Sequence, residues 1–260
     1  MPPWLMYVLL AAAGFGAGVV NTIAGGGSFL TLPALHFVGG LPWALANGTN
    51  RLALLLSTSS ATATFARHGK LDPRLTARVA LPILPMTFVG AWLAVTLPKD
   101  AFETAFGALF LAMAALLIRK PKLLLDGNRK PFQSRWAETA LFAAIGLYVG
   151  FIQAGFGLLL LIAMGVFHPR ELVDLNAVKT FVGSLVTVAG LSVYAYHREV
   201  EWLPGLAMAT GNLLGGIVGA RMALKEGKQL IFNVMIVVMV ATGLKLVWPA
   251  VSRLLEPVFG

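Results

Sequence analysis

Long uncharged stretches, separated by short polar connections, make up most of this chain. A bilayer core is about 30 Å thick, so about 20 apolar residues in a helix suffice to cross it. Most of the stretches fit that length, but the first and the fifth are too long for one straight crossing. The pattern therefore predicts a helical membrane protein with two interrupted segments. The apolar stretches are 4–38, 46–66, 79–97, 101–118, 137–167, 174–196, 203–222 and 228–248.

Glycines mark the place where each overlong segment is expected to break. Residues 25–27 are three consecutive glycines, and Gly155 and Gly157 flank a phenylalanine. Glycine in a helix interior costs about 1 kcal/mol relative to alanine. We therefore expect each overlong segment to form a hairpin that returns to its own side of the membrane. Non-helical backbone at membrane depth is tolerated only inside protein or beside a water-filled cavity, and the N–H groups of the restarting helix favour an anion there.

Composition supports the membrane assignment. Of the 260 residues, 58% are hydrophobic and 12% are charged, whereas soluble domains contain about 25% charged residues. Continuous apolar runs favour helices over a β-barrel, whose strands alternate at period two. The net charge of +9 is attributed to basic cytoplasmic loops that contact anionic lipid, so no nucleic-acid partner is expected. The chain has no cysteine and no histidines at ligand spacing, so no metal or other cofactor is expected.

The two halves of the chain repeat each other. Asn47 matches Asn176 and Lys99 matches Lys228 at one constant offset of 129 residues. One offset maintained over a long stretch indicates an internal duplication. We interpret the chain as a first transmembrane repeat over 1–118, a basic cytoplasmic linker over 119–136 and a second transmembrane repeat over 137–260.

Charges in equivalent loops indicate how the repeats are oriented. The loop 67–78 carries four basic residues against one acid, whereas the loop after His197 carries one basic residue against two acids. Conversely, the turn at 99–100 is neutral, whereas the connection 221–228 is basic. Because cytoplasmic loops are enriched in Lys and Arg, this exchange predicts two pseudo-symmetric inverted repeats, each with a broken, re-entrant helix pair followed by three transmembrane helices. A parallel arrangement of eight simple spans is the alternative.

The charged residues that lie inside the apolar segments are basic. All eleven acids lie in loops or near segment ends, whereas a cation pump would place one at mid-membrane. Arg51 and Lys179 lie a few residues inside their segments, at neighbouring repeat positions beside asparagines. The alternative for both is an interface position with the charged group at the membrane surface. We predict an anion site formed by Asn21, Gly25, Gly26, Gly27, Ser28, Asn47, Asn50, Arg51, Gln153, Gly155, Gly157, Asn176 and Lys179.

Four motifs carry a resemblance to a known family. Residues 21–35 read NTIAGGGSFLTLPAL and are followed by ANGTNR at 46–51, WLPG at 202–205 and GGIVGAR at 215–221. In these motifs the chain resembles the TauE/SafE family of membrane transporters. The resemblance implies a multi-pass carrier in the bacterial inner membrane that moves sulfur-containing anions such as sulfite, sulfonates and sulfoacetate-like compounds. The chain departs from the family pattern at 155–157, where GFG replaces a full glycine cluster.

These observations predict a secondary transporter of small anions that works by alternating access around a midplane site. Without a mid-membrane acid, the coupling modes left open are uniport, exchange and a proton carried by the substrate. The alternative function is a channel-like or accessory membrane subunit that acts with a partner protein. An enzyme with catalytic residues is not expected, because Ser28 has no nearby histidine or acid to activate it. The anion and membrane lipid are the expected partners, and a homodimer is left open.

Overall fold

A computed structural model describes residues 2–118 and 132–222, together with residues 240, 244, 247 and 248. Within these ranges the chain forms helices and no strand. Three of them are long and apolar enough to span a membrane, over Pro3–Thr22, Pro73–Thr96 and Val173–Tyr196. The helices are α1 Pro3–Ala24, α2 Ser28–Phe37, α3 Trp43–Arg67, α4 Pro73–Thr96, α5 Lys99–Ile118, α6 Arg135–Phe151, α7 Phe156–Phe167, α8 Leu172–Tyr196 and α9 Trp202–Met222.

Both overlong segments are interrupted at their glycines, as predicted. α1 stops at Gly25, which has a φ of 76° and donates its N–H to the carbonyl of Asn21. Between α6 and α7, Ile152 is extended and Gly155 has a φ of 73°. Side chains other than glycine are strained at such positive φ angles. Gly25 and Gly155 therefore determine where one helix stops and where the other restarts.

The two interrupted segments are named here by their helices. Hairpin 1 consists of α1 and α2, and hairpin 2 consists of α6 and α7. Each turns back towards its own starting point. In hairpin 2, Glu138 near the start of α6 lies 2.7 Å from His168 Nε2 just after α7. In hairpin 1, Leu10 of α1 and Leu35 of α2 pack in the same buried cluster. The chain therefore enters and leaves each hairpin at the same end of the bundle.

The two hairpins enter from opposite ends. One end of the bundle is named here the Asp72 end, because Arg170 Nη1 lies 2.6 Å from Asp72 Oδ2 there. At the same end, an ion pair between Arg78 and Glu138 joins the start of α4 to the start of hairpin 2. α3 begins at the opposite end, and the loop before α9 packs on the first turns of α3. Hairpin 1 starts at that end because α1 runs parallel to α9, with Gly14 beside Met208 and Gly18 beside Asn212.

Close backbone contacts join the helix pairs. A Cβ built on Gly14 would lie 2.2 Å from the Met208 carbonyl oxygen, and one on Gly150 would lie 2.1 Å from the Thr87 carbonyl oxygen. Small residues permit such close approach between membrane helices. α1 therefore packs along α9, and α6 packs along α4. α3 and α8 pack against each other, and they also contact α9 and α4, respectively.

Several boundaries differ from those expected from sequence. α3 begins at Trp43 rather than at residue 46. α4 begins at Pro73 rather than at residue 79, because the Asp72 carboxylate caps its first N–H groups. α6 begins at Arg135, inside the predicted linker 119–136. Residues 119–131 of that linker and almost all of the last predicted segment, 228–248, lie outside the described residues. The internal repeat and the domain boundaries at 118 and 137 stay predictions.

Candidate functional site

The breaks of the two hairpins are in direct backbone contact. A Cβ built on Gly157 would lie 2.8 Å from Gly25 Cα, and a Cβ built on Gly25 would lie 2.8 Å from the Gly157 carbonyl carbon. Neither position can accept a side chain without a shift of the opposite backbone. Glycine at both positions therefore lets hairpin 1 and hairpin 2 meet, although they enter from opposite ends.

A small polar cleft lies beside this contact. Its volume is about 30 Å³, which exceeds the roughly 15 Å³ that a single water needs. Hairpin 1, hairpin 2, α3 and α8 all contribute to its walls. The lining residues are Asn21, Thr22, Gly25, Leu54, Ser57, Thr58, Ala61, Gln153, Phe156, Gly157, Lys179, Thr180 and Gly183.

Lys179 supplies the charge of this cleft. Its side chain is buried, with 5% of the residue exposed, and its Nζ has no hydrogen-bond partner within the described part of the chain. The lining residues include no Asp or Glu. An ammonium held away from water without a counter-charge is energetically unfavourable. The cleft therefore combines a single basic side chain with amide and hydroxyl groups.

Arg51 lies beside the end of α6 and does not line the cleft. Its side chain is fully buried, and its Nη2 donates to the carbonyls of Val149, at 3.1 Å, and Gly150. Its guanidinium lies 4.6 Å from the centre of the Tyr194 ring. The last carbonyls of a helix lack partners within it and carry the negative end of its dipole. Arg51 thus caps α6. This position differs from the predicted contact with an anion, and it differs from the alternative position at the membrane surface.

Gln153 connects Arg51 to the cleft. Its Oε1 accepts a hydrogen bond from Arg51 Nη1 at 3.3 Å, and its Nε2 donates to Thr187 on α8. The same side chain lines the cleft. Gln153 is therefore in contact both with the capped end of α6 and with the space beside Lys179.

The asparagines near Arg51 fasten the hairpins to α3. Asn47 Nδ2 donates to the carbonyl of Phe151, the last residue of α6, at 2.7 Å. Asn50 accepts a hydrogen bond from Thr31 of α2 and donates to Ser28 Oγ at 3.2 Å. Both asparagines are fully buried and lie outside the cleft, as does Ser28. In this conformation they bind protein groups rather than offering donors to a solute.

The prediction that glycine N–H groups bind the anion does not hold for Gly25 in this conformation. The Gly25 N–H is engaged by the last turn of α1, so it is not available to an anion, although Gly25 lines the cleft. Gly26 and Gly27 lie outside the cleft, and their carbonyls accept hydrogen bonds from the first turn of α2. Gly155 faces aromatic and methionine side chains instead. Of the second glycine pair, only Gly157 lines the cleft.

The cleft unites part of the predicted set and adds residues that the prediction did not include. The predicted residues that line it are Asn21, Gly25, Gln153, Gly157 and Lys179, whereas Asn176 does not. The prediction missed Ser57 and Thr58, which lie on α3 beyond Arg51. The signal available for them was a run of hydroxyl residues, 57–60, inside an otherwise apolar segment.

Ion pairs at the Asp72 end join loops from the two halves of the chain. Asp72 contacts Arg170, and Lys70 Nζ lies 3.5 Å from Asp174 Oδ1. The backbone N–H of Leu75 and the Arg170 guanidinium hold the pKa of the Asp72 carboxyl below its ordinary value. These contacts fix the connection that leads into α8, the helix that carries Lys179.

The chain has relatives over nearly its whole length. It is 28% identical over 242 residues to the probable membrane transporter protein ORF9 of Sinorhizobium sp, covering 93% of this chain and 92% of the relative. A probable membrane transporter protein of Haemophilus influenzae is 28% identical over 235 residues, with 90% and 91% covered. The probable membrane transporter protein YfcA of Escherichia coli is 27% identical over 253 residues, with 95% and 91% covered.

No solved structure matches the chain significantly. The family model described as "Sulfite exporter TauE/SafE" matches residues 10–246, which include the cleft, hairpin 2 and all of hairpin 1 except its first seven residues. The resemblance in the glycine motif and in the motifs near α9 is thereby confirmed. The apolar helices fit a protein embedded in a membrane. The chain is a membrane transporter of the TauE/SafE family.

Proposed function

We propose that this chain is a secondary transporter of small anions, with sulfur-containing oxyanions such as sulfite, sulfonates and sulfoacetate-like compounds as its substrates. The substrate binds in the cleft beside the contact of Gly25 with Gly157, and Lys179 provides the positive charge. The observation that carries this proposal is the buried Lys179 ammonium, which has no partner within the described residues. The family description, which names sulfite export, supports the choice of sulfur-containing anions.

The donors around the cleft suit an oxyanion. Asn21 and Gln153 bring side-chain amides, and Ser57 brings a hydroxyl. The hydroxyls of Thr22 and Thr58 also line the cleft, but in this conformation they donate to the carbonyls of Gly18 and Leu54. An oxyanion presents several acceptor oxygens, and hydrogen bonds to a charged acceptor are stronger than those between neutral groups. Leu54, Ala61 and Phe156 form the apolar side of the cleft. At about 30 Å³ the cleft holds roughly two waters, so it must widen when a sulfonate binds.

The arrangement of the hairpins supports alternating access. Hairpin 1 and hairpin 2 enter from opposite ends and meet at one backbone contact, and α3 and α8 run in opposite directions beside them. Two inverted repeats would produce this arrangement, because equivalent helices would then run in opposite directions. Movement of one hairpin relative to the other would open the cleft first to one end and then to the other. We place the protein as a multi-pass protein of the bacterial inner membrane, in keeping with its bacterial relatives.

A binding measurement on the purified, detergent-solubilised chain tests this proposal. Sulfite, thiosulfate, methanesulfonate and acetate are titrated while the unfolding temperature is recorded, because a ligand of the folded state raises it with concentration. Lys179→Gln should weaken binding of the sulfur anions by about 30-fold or more, as expected for the loss of one partner of a buried charge pair. The matched control is Lys70→Gln, which removes an exposed lysine at the Asp72 end.

Equal anion affinity in Lys179→Gln and in the unchanged chain would contradict the proposed site. The alternative, a channel-like or accessory subunit, is separated by flux in liposomes that contain this chain alone. A carrier exchanges labelled substrate without a partner protein and saturates with concentration. Flux that requires a second protein would favour the accessory subunit instead.

A further inference from the structure

Lys179 is the one titratable residue among the described residues that line the cleft. α1 and α7, which pack on either side of the cleft, contain no charged residue. On α3, the charged neighbour is Arg51, whose Nη groups donate to Gln153 and to the end of α6. On α8 itself, Asp174 is paired with Lys70 at the Asp72 end. On α6, Glu138 is paired with Arg78 of α4 and with His168. These carboxylates are therefore engaged by other side chains, and none of them lines the cleft with Lys179.

This isolation poses a problem for an empty transporter. A secondary transporter must reorient without substrate if it is to produce net flux. An unpaired ammonium at membrane depth is unfavourable, because neither water nor a counter-charge solvates it. If Lys179 stayed charged, the empty state would reorient rarely and the protein would only exchange one anion for another. If Lys179 loses its proton with the departing anion, the empty cleft is neutral and can return.

We infer that Lys179 is the proton carrier of this transporter, so that one proton moves together with each monovalent anion. The inference rests on the proposed function and names its coupling ion. It differs from a relay through Asp or Glu, because the proton and the anion occupy one site as an ammonium and its counter-ion. It also differs from a proton carried by the substrate. With Lys179 as the carrier, transport of the anion of a strong acid, which binds no proton itself, is coupled to proton movement equally well.

The transport cycle balances in protons and charge. On the entry side, a proton from water binds the neutral Lys179 amine, and the anion binds the ammonium that forms. The loaded cleft then has no added net charge and can reorient. On the exit side, the anion leaves, and the ammonium gives its proton to an entering water. The neutral amine returns to the entry side, and each turn has moved one proton and one anion.

Arg51 cannot take this role. Its guanidinium is charged at any physiological pH, and its donors are engaged by the Val149 and Gly150 carbonyls. Lysine is the basic residue that gives up its proton when it is buried. The presence of lysine, rather than arginine, at the position facing the cleft is therefore the chemical feature on which the inference depends.

Proteoliposome flux tests the inference with methanesulfonate and ethanesulfonate as probes, because both are monovalent and neither titrates near neutral pH. For methanesulfonate, a gradient of about one pH unit, acidic outside, should drive about tenfold accumulation, because the proton and anion gradients become equal. A potassium and valinomycin clamp removes the membrane potential. Lys179→Arg keeps the positive charge but releases no proton. It should exchange internal for external anion and lose the accumulation driven by pH.

Wild-type exchange of the probes without accumulation driven by pH would overturn the inference and leave the proposed function intact. Accumulation by Lys179→Arg equal to that of the wild type would also overturn it. A wild-type chain that neither binds nor exchanges the probes would overturn the proposed function itself.

Calorimetry keeps the test decisive if the larger arginine blocks reorientation. Anion binding is measured in buffers of different ionisation enthalpy, from neutral to strongly alkaline pH. The wild type should take up a growing fraction of one proton per bound anion as the pH rises, whereas Lys179→Arg should take up none. Proton uptake of zero by the wild type over the whole range would overturn the inference, whatever the flux result.

Discussion

Arg51 and Lys179 lie at neighbouring positions of the two predicted repeats, yet their surroundings differ. Arg51 is fully buried against carbonyls at the end of α6 and over the Tyr194 ring, and among its nitrogens only Nε lacks a partner within the described residues. Lys179 is also buried, but its Nζ lies in a polar cleft without a partner there. One basic residue therefore completes the structure of a hairpin, whereas the other has no hydrogen-bond partner within the described residues.

The difference follows from the geometry of the two side chains. A guanidinium presents five donors in a fixed plane and can bind several carbonyls at a helix end. An ammonium is a compact charge on a flexible stem, which suits a ligand that comes and goes. The ends of the two hairpins differ accordingly: α6 is capped by Arg51, whereas α1 is closed by the N–H of Gly25. The two basic residues at neighbouring positions of the predicted repeats thus have different surroundings.

The largest expected effect comes from removing each cation in turn. Arg51→Met leaves the Val149 and Gly150 carbonyls without a charged donor, at a cost of about 1–3 kcal/mol for each unsatisfied acceptor. Lys179→Met replaces a buried amine that has no partner within the described residues with an apolar side chain of similar length, so the free energy of unfolding should stay the same or rise. Thermal unfolding in detergent, without anion, measures both variants. Equal destabilisation would mean that Lys179 also has a structural partner, and the comparison would fail.

The next effect concerns the contact that brings the two halves together. Gly157→Ala places a Cβ 2.8 Å from Gly25 Cα, and overpacking of this kind costs about 1–3 kcal/mol. Separating the hairpins should also reduce anion exchange in liposomes. The control is Gly16→Ala on α1, where an added Cβ meets no atom within 4 Å. Unchanged exchange in Gly157→Ala would remove the glycine contact from the transport mechanism.

The sequence was sufficient for the helical class and for the position of both breaks. Runs of apolar residues and glycine clusters are local signals, and Gly25 and Gly155 adopt the positive φ angles that require glycine. Family membership also followed from local motifs. The pairing of hairpin 1 with α9 and of hairpin 2 with α4 was not predicted, because it depends on contacts between residues far apart in the chain.

The candidate site was predicted only in part for the same reason. Lys179 and Gln153 could be singled out as polar residues near a break. Arg51 looked equivalent to Lys179, because a sequence does not reveal that the end of α6 would occupy its guanidinium. Asn47 and Asn50 were likewise assigned to the substrate, although in the structure they bind a backbone carbonyl and the hydroxyls of α2. Polar residue type alone does not separate these roles.

A substitution of Gln153 sharpens the comparison, because this residue contacts both surroundings. Gln153→Glu has nearly the same shape but places a carboxylate between Arg51 and the cleft. The carboxylate should compete with the anion for Lys179 and lower its affinity by about tenfold, which corresponds to 1.4 kcal/mol. Gln153→Met, which removes the amide without adding charge, should have a smaller effect. Anion titration by thermal shift compares them, and equal affinities would argue against an anion beside Gln153.

The smallest effect is expected at the Asp72 end, outside the cleft. The N–H of Leu75 and the Arg170 guanidinium lower the pKa of Asp72 in the folded protein. Its ionised form therefore adds stability above the unfolded pKa of about 3.9, and this stability is lost as the pH falls through the lower folded value. Asp72→Asn keeps an N-capping side chain but loses the charge.

The difference in stability between wild type and Asp72→Asn should be less than about 1 kcal/mol near pH 7, as for exposed ion pairs, and should vanish in acid. Unfolding temperatures of both proteins across the acidic range give this difference. Anion affinity at neutral pH should not change, because the pair with Arg170 only fixes the loop before α8. A loss of stability as large as that of Arg51→Met would place a second structural ion site at the connection into α8, the helix that carries Lys179, and the contrast between the surroundings of the two cations would no longer hold.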